Sequence, residues 1–314
     1  MTSFRGRFFN LMIRNRHLLQ GRLKKEVFDS NTSIPDFRAR CEKSAARYLK
    51  IPAGVDVREE IIRGMKCEWL RPVEADPGSI ILYVHGGGYV SGSCNDHRGF
   101  VSRFSQFTGI TNLVYEYRLA PENPFPAALE DSLNIYQWLI ESGYEPGKII
   151  IAGESAGGGL TLALLLALKE SDFPLPASAV AISPWTNLTC SGNSYKTKNK
   201  LSAAPMNSWK VFSRYYCGDH SATDPLISPM FGNLRGLPPI FINSAVDDEL
   251  FDDGREFFER ARLAGVDITF RAGNGMVHCY PLMAPMFREA TEAMNEIVGF
   301  VRKHMATSSQ KATD

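Results

Sequence analysis

The 314-residue sequence predicts an α/β fold, a mostly parallel central sheet flanked by helices, and three observations predict it. From about Ile61 onward, short β-rich runs alternate with helical runs. Residues 80–84 and 148–152 are nearly continuous apolar runs, as strands buried on both faces are. The stretch 127–142 carries helical periodicity long enough for a crossover between parallel strands.

Taken in order, residues 61–62 and 67–70 read as an opening hairpin around Gly64, and 80–84 as a buried strand ending at His85. Residues 113–117 form the next strand, closed by a turn at Ala120-Pro121. Leu129, Leu133, Tyr136, Trp138 and Leu139 recur at helical spacing until Gly143 stops the helix. Residues 148–152 are a strand, and the Leu/Ala-rich stretch 157–169 is a helix that starts directly after Ser155. Strands at 179–183, 240–245 and 268–270 and helices near 254–263 and 286–304 complete the series. Between Pro184 and Pro229 the alternation gives way to polar and aromatic residues, which reads as a cap segment inserted at about 185–229, after the sixth strand. The polar stretch 306–314 reads as a disordered tail.

Composition excludes several function classes. A formal net charge of +1 provides no global field for nucleic acid. The six cysteines are scattered without a CxxC pair, which argues against a zinc site or a disulfide framework and for free thiols in a reducing, cytoplasmic compartment. The apolar runs 8–13 and 162–168 are far shorter than the roughly 20 residues a membrane span needs. At the amino end Arg5, Arg7, Arg14, Arg16, Arg22, Lys24 and Lys25 precede the first acidic residue, Glu26, while Phe8, Leu11, Met12, Leu18, Leu19 and Leu23 share a helical face. The favoured expectation is a surface helix that packs this apolar stripe on the domain. The alternative is an interfacial or organelle-targeting segment.

The chemistry centres on Gly153-Glu154-Ser155-Ala156-Gly157, a G-x-S-x-G placed between a buried strand and a helix. Such a turn forces its central residue into a strained conformation and leaves no room for flanking side chains, so Ser155 is the candidate nucleophile. Upstream, His85-Gly86-Gly87-Gly88-Tyr89 follows a strand and exposes backbone N–H groups. Gly87, Gly88 and Ala156 are the candidate oxyanion donors. No dinucleotide or phosphate-loop spacing occurs there. His85, and His97 in the loop that follows, are read as structural props.

A serine nucleophile requires a base, and the base requires an orienting acid. Of six histidines, His17 and His304 lie in terminal helices and His220 in the cap segment, which leaves His278 in the loop after the last strand. Among the acids of Asp247-Asp248-Glu249-Leu250-Phe251-Asp252-Asp253, Asp248 stands at a strand end and is preferred; Asp252 is the alternative, at a helix start where capping explains it. The run lacks the spacing of a calcium loop, so no metal site is expected. The order Ser155, Asp248, His278 is the order found in α/β-hydrolases. Tyr89, Trp185, Trp209, Phe212, Tyr216, Leu250 and Phe251 are candidates for a substrate-pocket wall, although buried aromatics are more often plain core.

Together His85-Gly86-Gly87-Gly88, the run from Tyr117-Arg118-Leu119-Ala120-Pro121-Glu122 to Ala128, Gly153-Glu154-Ser155-Ala156-Gly157-Gly158 and Asp248-Glu249-Leu250 resemble the hormone-sensitive-lipase-like, bacterial family IV esterases. The resemblance covers roughly residues 55–304. It implies the α/β-hydrolase fold over 56–305, a cap formed by residues 1–55 together with the insertion, no cofactor, activity on short- to medium-chain carboxylic esters, and homodimers formed through the last strand and helix. It also implies Ser155, Asp248 and His278 as the catalytic residues. Glu154 departs from the Asp or Thr of the common subgroups. Receptors and dehydratases resembling this family offer rival readings, but the receptors lose the base histidine, which this chain keeps, and some dehydratases carry Thr where this chain has Ser155.

Overall fold

The computed structural model describes residues 2–19, 23–48, 50–201 and 204–311. Its centre is one eight-stranded sheet in the order β1-β2-β4-β3-β5-β6-β7-β8. The strands are β1 (Val55–Ile62), β2 (Met65–Pro72), β3 (Ile80–Val84), β4 (Thr111–Tyr115), β5 (Ile149–Glu154), β6 (Ser178–Ile182), β7 (Ile240–Ala245) and β8 (Ile268–Gly273). β1 and β2 form the expected hairpin, with Ile62 opposite Met65, and β2 runs antiparallel to β4. All remaining pairs are parallel.

The helices are α1 (Phe4–Arg14), α2 (Arg16–Leu19), α3 (Ile34–Tyr48), α4 (Cys94–Thr108), α5 (Ala127–Glu141), α6 (Ala156–Glu170), α7 (Ser194–Thr197), α8 (Ser208–Cys217), α9 (Phe251–Leu263) and α10 (Arg288–Lys311). Side chains alternate across the sheet and make two cores. Leu82, Ile151 and Ile242 join the layer of α5, α6 and α9. Ile81, Ile150 and Phe241 face α4 and α10. Every residue of α6 from Ala156 to Leu168 is buried, which explains a helix apolar on all sides. Among the described residues no helix is long and apolar enough to cross a membrane.

The amino-terminal segment and the insertion after β6 pack on each other. Phe28 N–H donates to Met206 O and Met206 N–H to Glu26 O, both at 2.9 Å. The Phe28 ring meets Phe212 of α8 edge-on at 4.7 Å. Arg38 of α3 reaches down to the carbonyls of Val90 at 2.7 Å and Ala120 at 3.0 Å. These contacts tie both segments to the loop that follows β3.

Three expectations need correction. His97 lies in α4, not in a loop: Ser93 Oγ accepts from Asp96 N–H, and Asp96 Oδ1 accepts from Ser93 N–H, a capping box that starts the helix. The tail expected from residue 306 is helical to Lys311, since nothing between Ala306 and Lys311 is Gly or Pro; residues 312–314 lie outside the described residues. The apolar stripe of the amino-terminal helices does not pack on the domain. Phe8, Leu11, Met12, Leu18 and Leu23 are exposed, and α1 docks instead by Gly6, Asn10 and the ring of Phe9, which stacks on Phe287 at 5.8 Å. The Leu19 side chain and Arg22 lie outside the described residues.

Candidate active site

Ser155 sits between β5 and α6 with φ 57° and ψ −123°, a conformation that costs a non-glycine residue about 1–3 kcal/mol and persists only where the surroundings impose it. They do so here. Ser155 N–H donates to Ile182 O at 2.9 Å, and Ser155 O accepts from Trp185 N–H at 2.9 Å and Gly159 N–H at 3.1 Å. A methyl group on Gly157 would run into the carbonyl oxygens of Val84 and His85, so this position admits only glycine. Ser155 is 6% exposed.

The loop after β3 is pinned to the same turn. Gly86 N–H donates to Glu154 Oε1 at 2.6 Å, and a Cβ on Gly86 would lie 3.1 Å from that of Ser155. Gly87 and Gly88 have φ of 114° and 66°, and neither N–H meets an acceptor among the described residues. Ala156 opens α6, so its N–H belongs to the first-turn donors that have no intrahelical acceptor. His85 is a prop: its Nδ1 lies 2.8 Å from Gly86 O, its ring stacks on Tyr117 at 4.1 Å, and burial with the nearby His97 charge pushes its pKa down to about 4.

One part of the site escaped the sequence reading. His97 is sandwiched between two carboxylates: its Nδ1 meets Asp96, and its Nε2 lies 2.9 Å from Glu154 Oε1. Burial alone would lower its pKa, but the two carboxylates outweigh that and hold it well above the ordinary histidine range. Glu154 therefore spans a cationic ring and the Gly86 N–H, joining the turn of Ser155 to the glycine loop. The capping-box pattern Ser93-Cys94-Asn95-Asp96 was the available signal for α4, but the contact to Glu154 left none in the sequence.

The acidic run after β7 separates into individual tasks. Asp247 pairs with Arg14 at 2.6 Å and Lys198 at 3.6 Å. Glu249 accepts from Trp209 Nε1 at 2.9 Å. Asp252 accepts from Ser194 N–H at 2.8 Å and pairs with Arg255 at 3.0 Å. Asp253 accepts from the N–H groups of Thr186 at 3.2 Å and Asn187 at 3.0 Å and from Tyr195. Asp248 meets a histidine, with its Oδ2 2.5 Å from His278 Nδ1. Asp248 is 1% exposed. Burial lowers the pKa of His278, yet the Asp248 carboxylate, with Cys279 beside it, more than compensates and the ring is held well above its ordinary value.

The loops of Ser155 and His278 converge on one carbonyl. Ile182 O accepts from Ser155 N–H at 2.9 Å, and Cys279 Sγ approaches it at 3.9 Å. No hydrogen bond joins Ser155 Oγ to His278 among the described residues; such contacts commonly tighten only when substrate is bound. Around them runs a chain of rings. Trp209 faces His278 at 5.8 Å and Trp185 at 5.0 Å, and Tyr89 stacks on Tyr216 at 3.6 Å. Phe212 packs against Gly88, and Leu250 is buried beside Asp248 in sequence. Phe251 stands apart from this chain, its ring directed at Phe270 of β8, because one helical step turns it away from Leu250.

A family model described as the alpha/beta hydrolase fold matches residues 81–282. An acetyl-hydrolase of Streptomyces hygroscopicus is 39% identical over 239 residues, 75% of this chain and 79% of that protein. An ethyl acetate hydrolase of Pseudomonas putida is 30% identical over 247 residues, 75% and 77% of the two chains. The crystal structure of an esterase from the bacterial hormone-sensitive lipase family superposes with a TM-score of 0.88 at 32% identity, covering 97% of this chain and 99% of that one.

Proposed function

The chain belongs to the α/β-hydrolase family, among its hormone-sensitive-lipase-like esterases, and is a carboxylic ester hydrolase; on that premise we propose that it cleaves short- to medium-chain esters through an acyl-enzyme on Ser155. The observation that carries the proposal is Ser155, held at positive φ with Gly86 packed against its Cβ and the N–H groups of the next two residues, Gly87 and Gly88, free of acceptors among the described residues. His278 takes the Oγ proton as Oγ attacks the ester carbonyl. The oxyanion receives the N–H groups of Gly87, Gly88 and Ala156. Collapse expels the alcohol, which leaves with the proton from His278. Water then gives a proton to His278 and attacks the acyl carbon; the acid departs and Ser155 regains its proton. Asp248 keeps the Nδ1 proton in place and stabilises the imidazolium.

Residues 1–55 and 185–229 act as the cap, and its rings limit the acyl chain. Trp209 over His278 and Phe212 over Gly88 leave the acyl group little depth. The small acyl and alcohol groups in the names of the acetyl-hydrolase and the ethyl acetate hydrolase support this reading. Among the described residues β8 has no strand on its outer side, an open edge that suits pairing with a second copy. Six free cysteines fit a reducing compartment.

A series of p-nitrophenyl esters from acetate to palmitate tests the substrate class. The expected kcat/KM is highest between acetate and octanoate and falls roughly tenfold or more by laurate. A maximum at palmitate, or no turnover of any ester, overturns it. Gly88→Ala tests the oxyanion loop. The added methyl runs into the Phe212 ring at a position with φ 66°, so the loop must shift. The expected loss is on the order of 10²–10³ in kcat, the cost of one oxyanion donor, measured on p-nitrophenyl acetate. Unchanged kcat removes Gly88 from the donor set.

A further inference from the structure

The amino-terminal helix leaves exposed an apolar stripe that covering its own domain does not use. Its inward face is mostly polar, with one ring, Phe9, stacked on Phe287 at 5.8 Å. Ser3 Oγ donates to Glu289 of α10 at 2.7 Å, Asn10 Nδ2 to Gly275 O at 2.7 Å, and Arg14 pairs with Asp247 at 2.6 Å. A helix that serves a core turns its apolar stripe toward that core. Here Phe4 is 83% exposed, Phe8 51% and Leu11 61%. At 100° per residue these three form one stripe, with Met12 beside it, and Arg7 and Arg5 border it on either side. Neither arginine meets a carboxylate among the described residues.

We propose that the outer face of α1 adsorbs on an anionic lipid surface, with Phe4, Phe8 and Leu11 entering the acyl boundary and Arg5 and Arg7 meeting the headgroups. The pattern is that of an interfacial helix: a narrow apolar stripe, cationic margins and no acidic residue before Glu26. Charge decides against a second copy as the occupant. A two-fold contact centred on α1 places Arg5 and Arg7 against their own copies, with no acid on the helix to neutralise them. Anionic headgroups supply the missing counter-charge. The inner contacts make α1 a fixed mount, since Asn10 and Arg14 hold residues adjacent to the loops of His278 and Asp248. Adsorption therefore brings those loops close to the lipid surface. The inference goes beyond ester cleavage and does not depend on it.

Sedimentation of the full chain with large unilamellar vesicles provides the test, comparing phosphatidylcholine alone with phosphatidylcholine containing phosphatidylglycerol. Two double variants, F8E/L11E and R5E/R7E, change exposed side chains outside the site, and hydrolysis of a soluble ester reports that each stays folded. The expected result is binding to the anionic vesicles that falls at least roughly tenfold on zwitterionic vesicles, in either variant, and at high salt. Absence of binding to anionic vesicles overturns the proposal, as does binding that neither variant weakens. Conversion of a dimer to a monomer by F8E/L11E, with vesicle binding unchanged, overturns it in favour of a second copy.

Discussion

Ser155→Ala is expected to lower kcat on p-nitrophenyl butyrate by on the order of 10⁵–10⁶, to the level that binding and the oxyanion donors sustain without a nucleophile. The substitution removes one oxygen and leaves everything that shapes the turn. Ser155 N–H still donates to Ile182 O, and its carbonyl still accepts from Trp185 and Gly159. Alanine keeps a Cβ, so the cost of φ 57° remains and stability is expected to change by less than about 1 kcal/mol. Ser155→Gly separates chemistry from strain. It loses the same activity, yet the positive φ no longer carries a penalty, and the protein is expected to melt higher than the alanine variant. Full activity in either variant refutes Ser155 as nucleophile, and equal melting temperatures refute the strain argument. Thermal unfolding followed by circular dichroism, alongside initial rates, reads both.

The contrast between what was and was not legible in the sequence follows the range of the interactions. The turn at Ser155 was readable because its determinants are contiguous: an apolar strand, two glycines and a helix apolar on all sides. The donors at Gly87 and Gly88 were readable for the same reason. Periodicity placed Phe8, Leu11 and Met12 on one face of a helix, but period alone carries no sign, and whether the face turns in or out depends on Glu289, Gly275 and Asp247, which are remote in sequence. The cation at His97 was hidden likewise, since Glu154, at the end of β5, is separated from it by β4 and α5 and meets it only once the sheet is assembled. α4 was missed although its capping box is local, because Gly99 and scattered serines dilute its apolar period. The acidic run after β7 shows the limit most directly. Of its five carboxylates in seven residues the strand end singled out Asp248, but nothing local assigns the others, and only the fold sends Asp252 and Asp253 to the segment after β6.

That distribution makes Asp248→Asn the sharper of the two main tests, because it alters rate and pH dependence together. The expected fall in kcat is on the order of 10⁴, the cost of losing the group that fixes the base tautomer and stabilises the imidazolium. The sign of the pH effect follows from the opposing influences on His278. Burial lowers its pKa, the Asp248 carboxylate and, after it, Cys279 raise it, and in the intact site the raising influences prevail. Only the neutral ring accepts the Ser155 proton, so kcat/KM rises with pH as His278 loses its proton, with an acid limb above the ordinary histidine value. With asparagine at 248 the largest influence opposing burial is gone and only Cys279 still raises the ring, so the limb moves to lower pH. Asp252→Asn serves as the control: Asp252 binds Ser194 N–H and Arg255 and touches no histidine, so its loss is expected to affect stability and leave the limb in place. A profile of kcat/KM between pH 4.5 and 10 on a soluble ester distinguishes the two acids, and a limb that moves in Asp252→Asn but not in Asp248→Asn reverses the assignment.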